Sequence, residues 1–430
     1  MAGNSNESNC ARNLLKGTTI KEVVQYCSAL RSARTGKPFE LLMLKQDCTI
    51  GEALDKLACH NVLSAPVIAY ADAAGTTPTL PHERCDIPTP LGNVLPEESD
   101  THAVPPHTQP VVVACIDVGT ILGALLQMLT SSPHAHIFDM ARRAITYEQL
   151  SEVLLTLNGI SGEFFHRSLS TIPGSADGCC LYENDMSTDL LTVIDNAFLL
   201  HRQIFLAQKA ISNHRIFFFK KPGEVADMLS QSDVLRFVMD KKDQLNQDLL
   251  KKTVNDLDVL STCPVISVRS TVSALEAFRH MYNHAVSGIA VVDAATGRLV
   301  NSLSASDVRG LSPSVFSSLA LPVGEFLKRA HDEKLLRDRL VEISLKSSQK
   351  AAYESEAENI ATAEEDIVPQ LRLITCTKDS SLDFIMRALL TYNVHRLYVV
   401  DEEQKPSGIV TVSNVLWALV GDVSDAPSAV

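Results

Sequence analysis

The sequence lacks the long apolar runs and the excess of basic charge that mark membrane-spanning and nucleic-acid-binding proteins. No apolar run reaches the roughly 18 residues that a transmembrane helix requires. The 38 Lys and Arg residues are outnumbered by 51 Asp and Glu, and the formal net charge is −13. Since a protein that binds a phosphate backbone presents a basic face, the sequence predicts neither a membrane nor a nucleic acid as a partner.

Motifs of catalysis and metal binding are also missing. The ten Cys form no CxxC pair, and no GxSxG, P-loop, HExxH or GxGxxG sequence occurs. His134 and His136, with Asp139 nearby, have a spacing that metal sites use, but no third and fourth ligand accompany them. We therefore expect neither an enzyme nor a metalloprotein.

The N-terminal sequence, MAGNSNESNCARN, is polar and holds no apolar signal core. Unpaired Cys in a reducing compartment are mostly buried apolar residues. These features predict a cytoplasmic protein, with the nucleus as a second location. With 430 residues, 45% of them hydrophobic, the chain has enough apolar material for about two to four domains.

One order of elements recurs along the chain and is clearest near the C-terminus. A short apolar strand over 371–375 is followed by a segment that predicts a helix. Two β-rich runs, 394–401 and 408–412, flank a polar turn, and a second helix closes the unit. The apolar face of the first helix comprises Leu382, Ile385, Met386 and Leu389.

The same order occurs upstream, where VSGIAVVD (286–293) matches VHRLYVVD (394–401), and SASDVRGL (304–311) matches TVSNVLWAL (411–419). Two earlier copies are more diverged. In the first of them, Thr49 and Glu52 fit a capping box, and a Pro- and Thr-rich stretch interrupts the unit. The predicted segments are repeat 1 over 38–128 with an inserted loop over 74–110, a helical connector over 129–187, repeat 2 over 188–242, repeat 3 over 257–326, a charged helix and acidic linker over 327–369, and repeat 4 over 370–425.

These units resemble the CBS (cystathionine-β-synthase) domain, through a hydrophobic strand that ends in Asp and a later Ser/Thr-x-x-Asp before a helix. Residues 393–420 look like the final repeat of the γ regulatory subunits of AMP-activated, sucrose-non-fermenting-type protein kinases. Residues 288–311 look like the third repeat of the plant γ-like branch. The resemblance implies an α/β fold of four βαββα CBS repeats, which form two Bateman modules in a flat disk.

The resemblance also implies where a nucleotide would bind. One carboxylate can accept hydrogen bonds from both vicinal hydroxyls of a ribose, and the helix start beside it favours anions. In repeat 1, Asp117 and Thr120 occupy the two motif positions in exchanged order, and we expect no standard ribose contact there. The implied ribose residues are Ser230 and Asp233, Ser304 and Asp307, and Thr411 and Asn414, of which Asn414 lacks the charge.

Phosphates would be held by His or Arg from a neighbouring repeat. His214 with Arg215 and His395 with Arg396 match the His-Arg pair that γ subunits use toward phosphates. The corresponding segments of repeats 1 and 3, 61–63 and 285–287, hold no such pair.

The resulting hypothesis is an energy-sensing regulatory subunit that binds AMP, ADP or ATP, without any other cofactor, and joins kinase catalytic (α) and β-type subunits. Two alternatives remain open. In the first alternative the chain is a scaffold whose ligand sites have decayed, and the Asp117–Thr120 exchange and Asn414 favour this interpretation. In the second the chain is a regulator that binds another adenosyl ligand, such as S-adenosylmethionine.

Overall fold

A computed structural model of the chain describes eleven segments, which contain four small sheets and the helices around them. The described residues are 10–35, 40–70, 111–131, 135–136, 147–172, 179–183, 186–199, 214–221, 224–257, 265–332 and 373–420. The predicted inserted loop over 74–110 and most of the linker over 327–369 lie outside them.

The strands form four three-stranded sheets, each from strands that are consecutive in the sequence. They are β1 (Leu44–Lys45), β2 (Ser64–Ala69), β3 (Val111–Asp117), β4 (Cys179–Glu183), β5 (Arg215–Lys221), β6 (Glu224–Ser230), β7 (Ser267–Arg269), β8 (Gly288–Val292), β9 (Leu299–Ser304), β10 (Thr375–Cys376), β11 (Arg396–Val400) and β12 (Pro406–Thr411).

Helices separate and flank these strands in the order that the sequence predicts. They are α1 (Cys10–Gly17), α2 (Ile20–Thr35), α3 (Ile50–Cys59), α4 (Val118–Thr130), α5 (Tyr147–His166), α6 (Leu190–Val193, continued as a π-helix over Ile194–Phe198), α7 (Gln231–Asp240), α8 (Gln247–Lys251), α9 (Ala274–Asn283), α10 (323–332), α11 (Leu382–Thr391) and α12 (Val412–Val420). In repeat 3 the closing helix is a 3₁₀ helix over Ala305–Gly310.

All four sheets share one topology. The first strand of each pairs parallel with the second, and the second pairs antiparallel with the third. Each antiparallel pair also has a register shift near the end of its second strand. The equivalence of the four units therefore extends to single residues. The pairs that begin the second strand are Ser64 with Asp117, Arg215 with Ser230, Gly288 with Ser304, and Arg396 with Thr411.

Local sequence accounts for the helix ends of these units. Thr49 accepts from the backbone N–H of Glu52 and Glu52 accepts from that of Thr49, which confirms the predicted capping box. Asn61, Ala285 and Asn393 each lie two residues beyond a helix and have φ of 51°, 50° and 50°. This left-handed conformation ends the helix, and it recurs at the same place in repeats 1, 3 and 4.

The second unit begins earlier than the sequence indicates. Strand β4 pairs parallel with β5 and completes the second sheet, although it lies inside the predicted connector over 129–187. The strand is hard to recognise from the sequence because it has only five residues, CCLYE, and these show no alternation of apolar and polar side chains.

The repeats pack in two pairs through the apolar faces of their helices, repeat 1 with repeat 3 and repeat 2 with repeat 4. The sheets form the other contacts. Phe217 and Met228 pack on Cys115 of repeat 1, while Tyr398 and Val400 pack on the repeat 3 sheet. The four units therefore contact one another in the cyclic order 1, 2, 4, 3.

Helix α5, in the predicted connector, belongs to the core between repeats 1 and 3. Its Phe164 and Phe165 rings lie 5.6 and 5.5 Å from the Phe316 ring. Within the described segments, no helix combines the length and apolarity needed to cross a bilayer.

Two leucines of α5 provide a matched test of this packing. Leu157 is fully buried and Leu155 is 71% exposed. We expect Leu157→Ala to lower the free energy of unfolding by about 2–5 kcal/mol, because it leaves a cavity. Leu155→Ala should change it by no more than about 0.5 kcal/mol. Urea denaturation followed by circular dichroism measures both, and equal effects would contradict the placement of α5.

Candidate functional site

Each third strand runs directly into the element that follows it, and a polar pair closes this junction. In repeats 2, 3 and 4 the second residue of the pair accepts from the first through one side-chain oxygen. That oxygen lies 2.7–3.0 Å from the backbone nitrogen and 2.6–3.0 Å from the hydroxyl of its partner. The pairs are Ser230 with Asp233, Ser304 with Asp307, and Thr411 with Asn414.

Repeat 1 has the same cap in reverse. Thr120 donates to Asp117 Oδ1 from its backbone nitrogen at 2.7 Å and from its hydroxyl at 2.8 Å. Burial raises the pKa of Asp117, while these hydrogen bonds and the charge of Arg215 oppose the rise. The carboxylate thus lies three residues earlier than in the other repeats, as the sequence indicates.

The carboxylate of Asp233 is already engaged by the protein. Asp233 is 4% exposed, and its Oδ2 lies 2.6 Å from Nη2 of Arg31, a residue of helix α2. Arg236 Nη1 lies 3.6 Å from Oδ1. A ribose would have to displace Arg31 to reach this carboxylate, and the predicted ribose role of Asp233 stays a prediction.

Asp307 is placed differently. It is half-buried, and its Oδ2 accepts both cap hydrogen bonds from Ser304. Among the described residues, Oδ1 has no hydrogen-bond donor. Burial raises the pKa of Asp307, and the positive charges of Arg309 and Arg396 oppose the rise. Oδ1 is therefore a carboxylate oxygen beside two cations, with its hydrogen-bonding capacity still available.

Asn414 caps its helix with the geometry of a carboxylate. Its Oδ1 accepts from Thr411 at 2.8 and 2.6 Å, so its remaining polar atom is an amide nitrogen that donates. Relative to an aspartate at this position, Asn414 therefore lacks the negative charge, as the sequence shows, and also lacks the second hydrogen-bond acceptor.

Basic side chains from three repeats converge on His395. His395 is exposed by its solvent-accessible area, yet protein atoms surround the imidazole closely enough that desolvation is the largest effect on its pKa. The nearby charges of Arg215, Arg396, His214 and Arg309 act in the same direction, and together these effects lower the pKa of His395 to about 4. Repeats 2, 3 and 4 thereby form one electropositive junction, and both predicted His-Arg pairs belong to it.

Arg396 is held rigidly within this junction. Its Nη2 donates to the backbone oxygen of Ser287 at 2.9 Å and to the Ser287 hydroxyl at 2.8 Å. The guanidinium crosses directly over Gly288, where a Cβ would overlap Nη1. Burial lowers the pKa of Arg396, while Tyr398 and Asp307 oppose the change. The absence of a side chain at Gly288 thus leaves room for the observed position of the Arg396 guanidinium against repeat 3.

Two arginines that the sequence motifs do not indicate also lie at the candidate site. Arg309 Nη1 donates to Asn61 Oδ1 at 3.0 Å and to the Val62 backbone oxygen at 3.3 Å, which links repeat 3 to repeat 1. Its position two residues after Asp307, inside the matched motif, was an available signal. Arg31 lies 202 residues from Asp233, and no local pattern indicates that pairing.

The chemistry of the junction is that of an anion site with a carboxylate beside it. A ligand that carries phosphate and vicinal hydroxyls matches both parts, because Arg and neutral or charged His bind phosphate oxygens and a carboxylate binds hydroxyls. Two surface cavities, of about 280 and 520 Å³, include none of the predicted site residues.

A metal site finds no support within the part of the chain that the structure describes, where no three His, Cys, Asp or Glu side chains come together. Of the three residues whose spacing is typical of a metal site, His134 and Asp139 lie outside that part.

Comparisons with known proteins match two of the four repeats to a known family. The CBS domain family matches residues 254–313 and 365–421. A curated relative from Arabidopsis thaliana, "SNF1-related protein kinase regulatory subunit gamma-1-like", is 28% identical over 39% of this chain and 31% of its own length. The "5'-AMP-activated protein kinase subunit gamma" of Kluyveromyces lactis is 26% identical over 45% of this chain and 47% of its own length. The chain thus matches about a third to a half of these relatives.

A solved structure from Methanocaldococcus jannaschii, described as a putative archaeal homologue of γ-AMPK, is 14% identical, with a TM-score of 0.49 over 88% of this chain and 95% of that one.

The pKa of His395 tests the charge cluster. We expect NMR titration of the imidazole, assigned with His395→Asn, to give a midpoint of about 4. Arg215→Gln should raise that midpoint, because it removes a nearby positive charge. Arg387→Gln removes an exposed cation paired with Asp383 and should leave it unchanged. A midpoint near 6.5 in the wild type would contradict the convergence of the repeats.

Proposed function

We propose that this chain, a CBS-domain protein that resembles the γ subunits of AMP-activated and SNF1-related kinases, is their adenine-nucleotide-binding regulatory counterpart. In this proposal AMP, ADP or ATP binds at the electropositive junction, and a complex with kinase catalytic (α) and β-type subunits responds to its occupancy. The complex would act in the cytoplasm, with the nucleus as a second location. The observation that carries the proposal is the convergence of basic groups from three repeats on His395, beside the available Oδ1 of Asp307.

In this proposal Asp307 and the cations bind different parts of the nucleotide. The ribose hydroxyls donate to Asp307 Oδ1, and the phosphates lie against Arg215, Arg309 and Arg396. An arriving phosphate compensates the mutual repulsion of these cations, and it favours a proton on His395. Binding is then coupled to protonation of His395, and the contribution of this histidine to affinity grows as the pH falls toward its pKa of about 4 in the free protein.

The regulatory step follows from the position of the junction between repeats. Each repeat contributes a different contact: Asn61 from repeat 1, Arg215 from repeat 2, Asp307 from repeat 3 and His395 from repeat 4. A ligand that holds several of these groups stabilises the arrangement in which they are close, and it shifts the protein by its differential affinity for that arrangement. A partner subunit that contacts two repeats would detect the shift.

A scaffold without ligand control is the second candidate, and three observations favour it. Arg31 occupies the Asp233 carboxylate, repeat 1 has its carboxylate displaced to Asp117, and Asn414 uses its acceptor in the helix cap. The electropositive junction argues against an adenosyl ligand without phosphate, such as S-adenosylmethionine, whose sulfonium is positively charged.

Isothermal titration with AMP, ADP and ATP tests nucleotide binding directly. We expect Asp307→Asn to weaken binding roughly 10- to 100-fold, because a hydrogen bond to a charged group contributes about 1.5–3 kcal/mol. Asn414 shows that Asn preserves the cap, so the variant should stay folded. Asp293→Asn alters an acidic residue of a surface turn in the same repeat and serves as control. The absence of heat at millimolar nucleotide on folded wild type would exclude nucleotide sensing.

Partner binding separates the sensor from the scaffold. If the chain is a sensor, its affinity for kinase α and β subunits changes when AMP is added, and Asp307→Asn abolishes that change without altering the affinity in the absence of AMP. A scaffold binds the subunits equally with and without nucleotide. Surface plasmon resonance with immobilised kinase subunits measures both affinities, and it also shows whether the subunits bind at all.

A further inference from the structure

Helix α2, in the first half of the chain, covers the point in repeat 2 where strand β6 ends and helix α7 begins. Helix α2 occupies the same place relative to repeat 2 as residues 254–257 do relative to repeat 4. Thr19 bridges Asp189 as Thr253 bridges Ser381, and each threonine begins its turn with a capping contact, to Glu22 or to Asp256. At this place the described residues of the second half form a hydrogen-bonded turn over 254–257, and the first half has α2, a helix of 16 residues.

The later turns of α2 lie on the end of strand β6 and the start of helix α7 in repeat 2. The Ser28 hydroxyl donates to Asp227 Oδ2 at 3.3 Å, and the Tyr26 ring packs edge-on against the Phe237 ring at 5.4 Å. The Cys27 thiol lies 3.9 Å from the backbone oxygen of Asp233. Each of these contacts joins α2 to β6 or α7, and they align the helix over the Asp233 carboxylate.

Arg31 completes the cover. Its guanidinium lies 2.6 Å from Asp233 Oδ2, and the aspartate is nearly fully buried. The residues at the same position of repeats 3 and 4, Asp307 and Asn414, are half-buried. Their helix starts have equivalent cap geometry, so the difference in exposure comes from what lies over repeat 2.

We infer that α2 is an autoinhibitory seal on the repeat 2 site: Arg31 takes the carboxylate that a nucleotide ribose would take, and the site opens only when the end of α2 withdraws. This inference deepens the proposed function, on which it rests, by assigning a regulated site in addition to the one at Asp307. The Ser230–Asp233 cap remains intact beneath α2, so removal of Arg31 would expose a formed site.

Binding stoichiometry tests the seal. Isothermal titration with AMP is carried out on the full chain with wild type, Arg31→Ala, Arg236→Ala and the double variant Arg31→Ala/Asp233→Asn. We expect Arg31→Ala to bind one more AMP than wild type. Arg236→Ala removes the other cation near Asp233 but leaves Arg31 in place, and it should match wild type. The double variant should lose the additional site, since Asn keeps the cap but not the charge.

Equal stoichiometry in wild type and Arg31→Ala, zero included, would overturn the seal. If wild type binds no AMP but Arg31→Ala binds one, the seal is supported and the proposed function of the unmodified chain fails. If wild type binds and Arg31→Ala binds no more, the proposed function stands and the seal fails. The two conclusions are thereby separated.

A second variant, Arg31→Gln, keeps the test decisive if Arg31→Ala does not fold. Gln retains a long polar side chain but loses the charge that pairs with Asp233, so the seal predicts that Arg31→Gln also binds one more AMP than wild type. Folded Arg31→Gln that binds the same number of AMP molecules as wild type would show that α2 is a fixed structural element and would overturn the inference.

Discussion

The mutual repulsion of cations at the electropositive junction of repeats 2, 3 and 4 is the constraint on which the site depends. Apolar burial between helix faces and between sheets closes the ring of repeats, and closure brings Arg215, Arg309 and Arg396 around His395. Like charges that are held near one another destabilise a protein unless they are neutralised. Burial, followed by the positive charges of Arg215, Arg396, His214 and Arg309, lowers the pKa of His395, so a further charge at this position is disfavoured.

The protein offsets part of this repulsion with fixed partners. Arg396 donates twice to Ser287, Arg309 donates to Asn61 and Val62, and Arg215 faces the displaced carboxylate of Asp117. Each of these contacts joins two repeats. The charges are thus also the means by which neighbouring repeats are linked, and a ligand anion that neutralises them would bear on the packing of the whole ring.

Repeats 2 and 3 show how one motif acquires two environments. Ser230–Asp233 and Ser304–Asp307 have the same cap geometry, yet Asp233 is ion-paired and buried while Asp307 retains an available oxygen. The cause is helix α2, which lies more than 190 residues away in sequence from the aspartate it covers. Identity of motif therefore does not establish identity of role within this chain.

The sequence by itself determined the repeating units, their βαββα order and the helix caps. These follow from local rules: apolar periodicity, the Thr49–Glu52 box, and the Ser/Thr-x-x-Asp spacing that each helix start requires. It also located both His-Arg pairs and the anomalies at Asp117 and Asn414. Only the tertiary structure decided the cyclic order of the repeats, the strand at 179–183, the roles of Arg31 and Arg309, and which aspartate stays available. Those features depend on contacts between residues far apart in the chain, and no local propensity or spacing encodes which apolar face meets which.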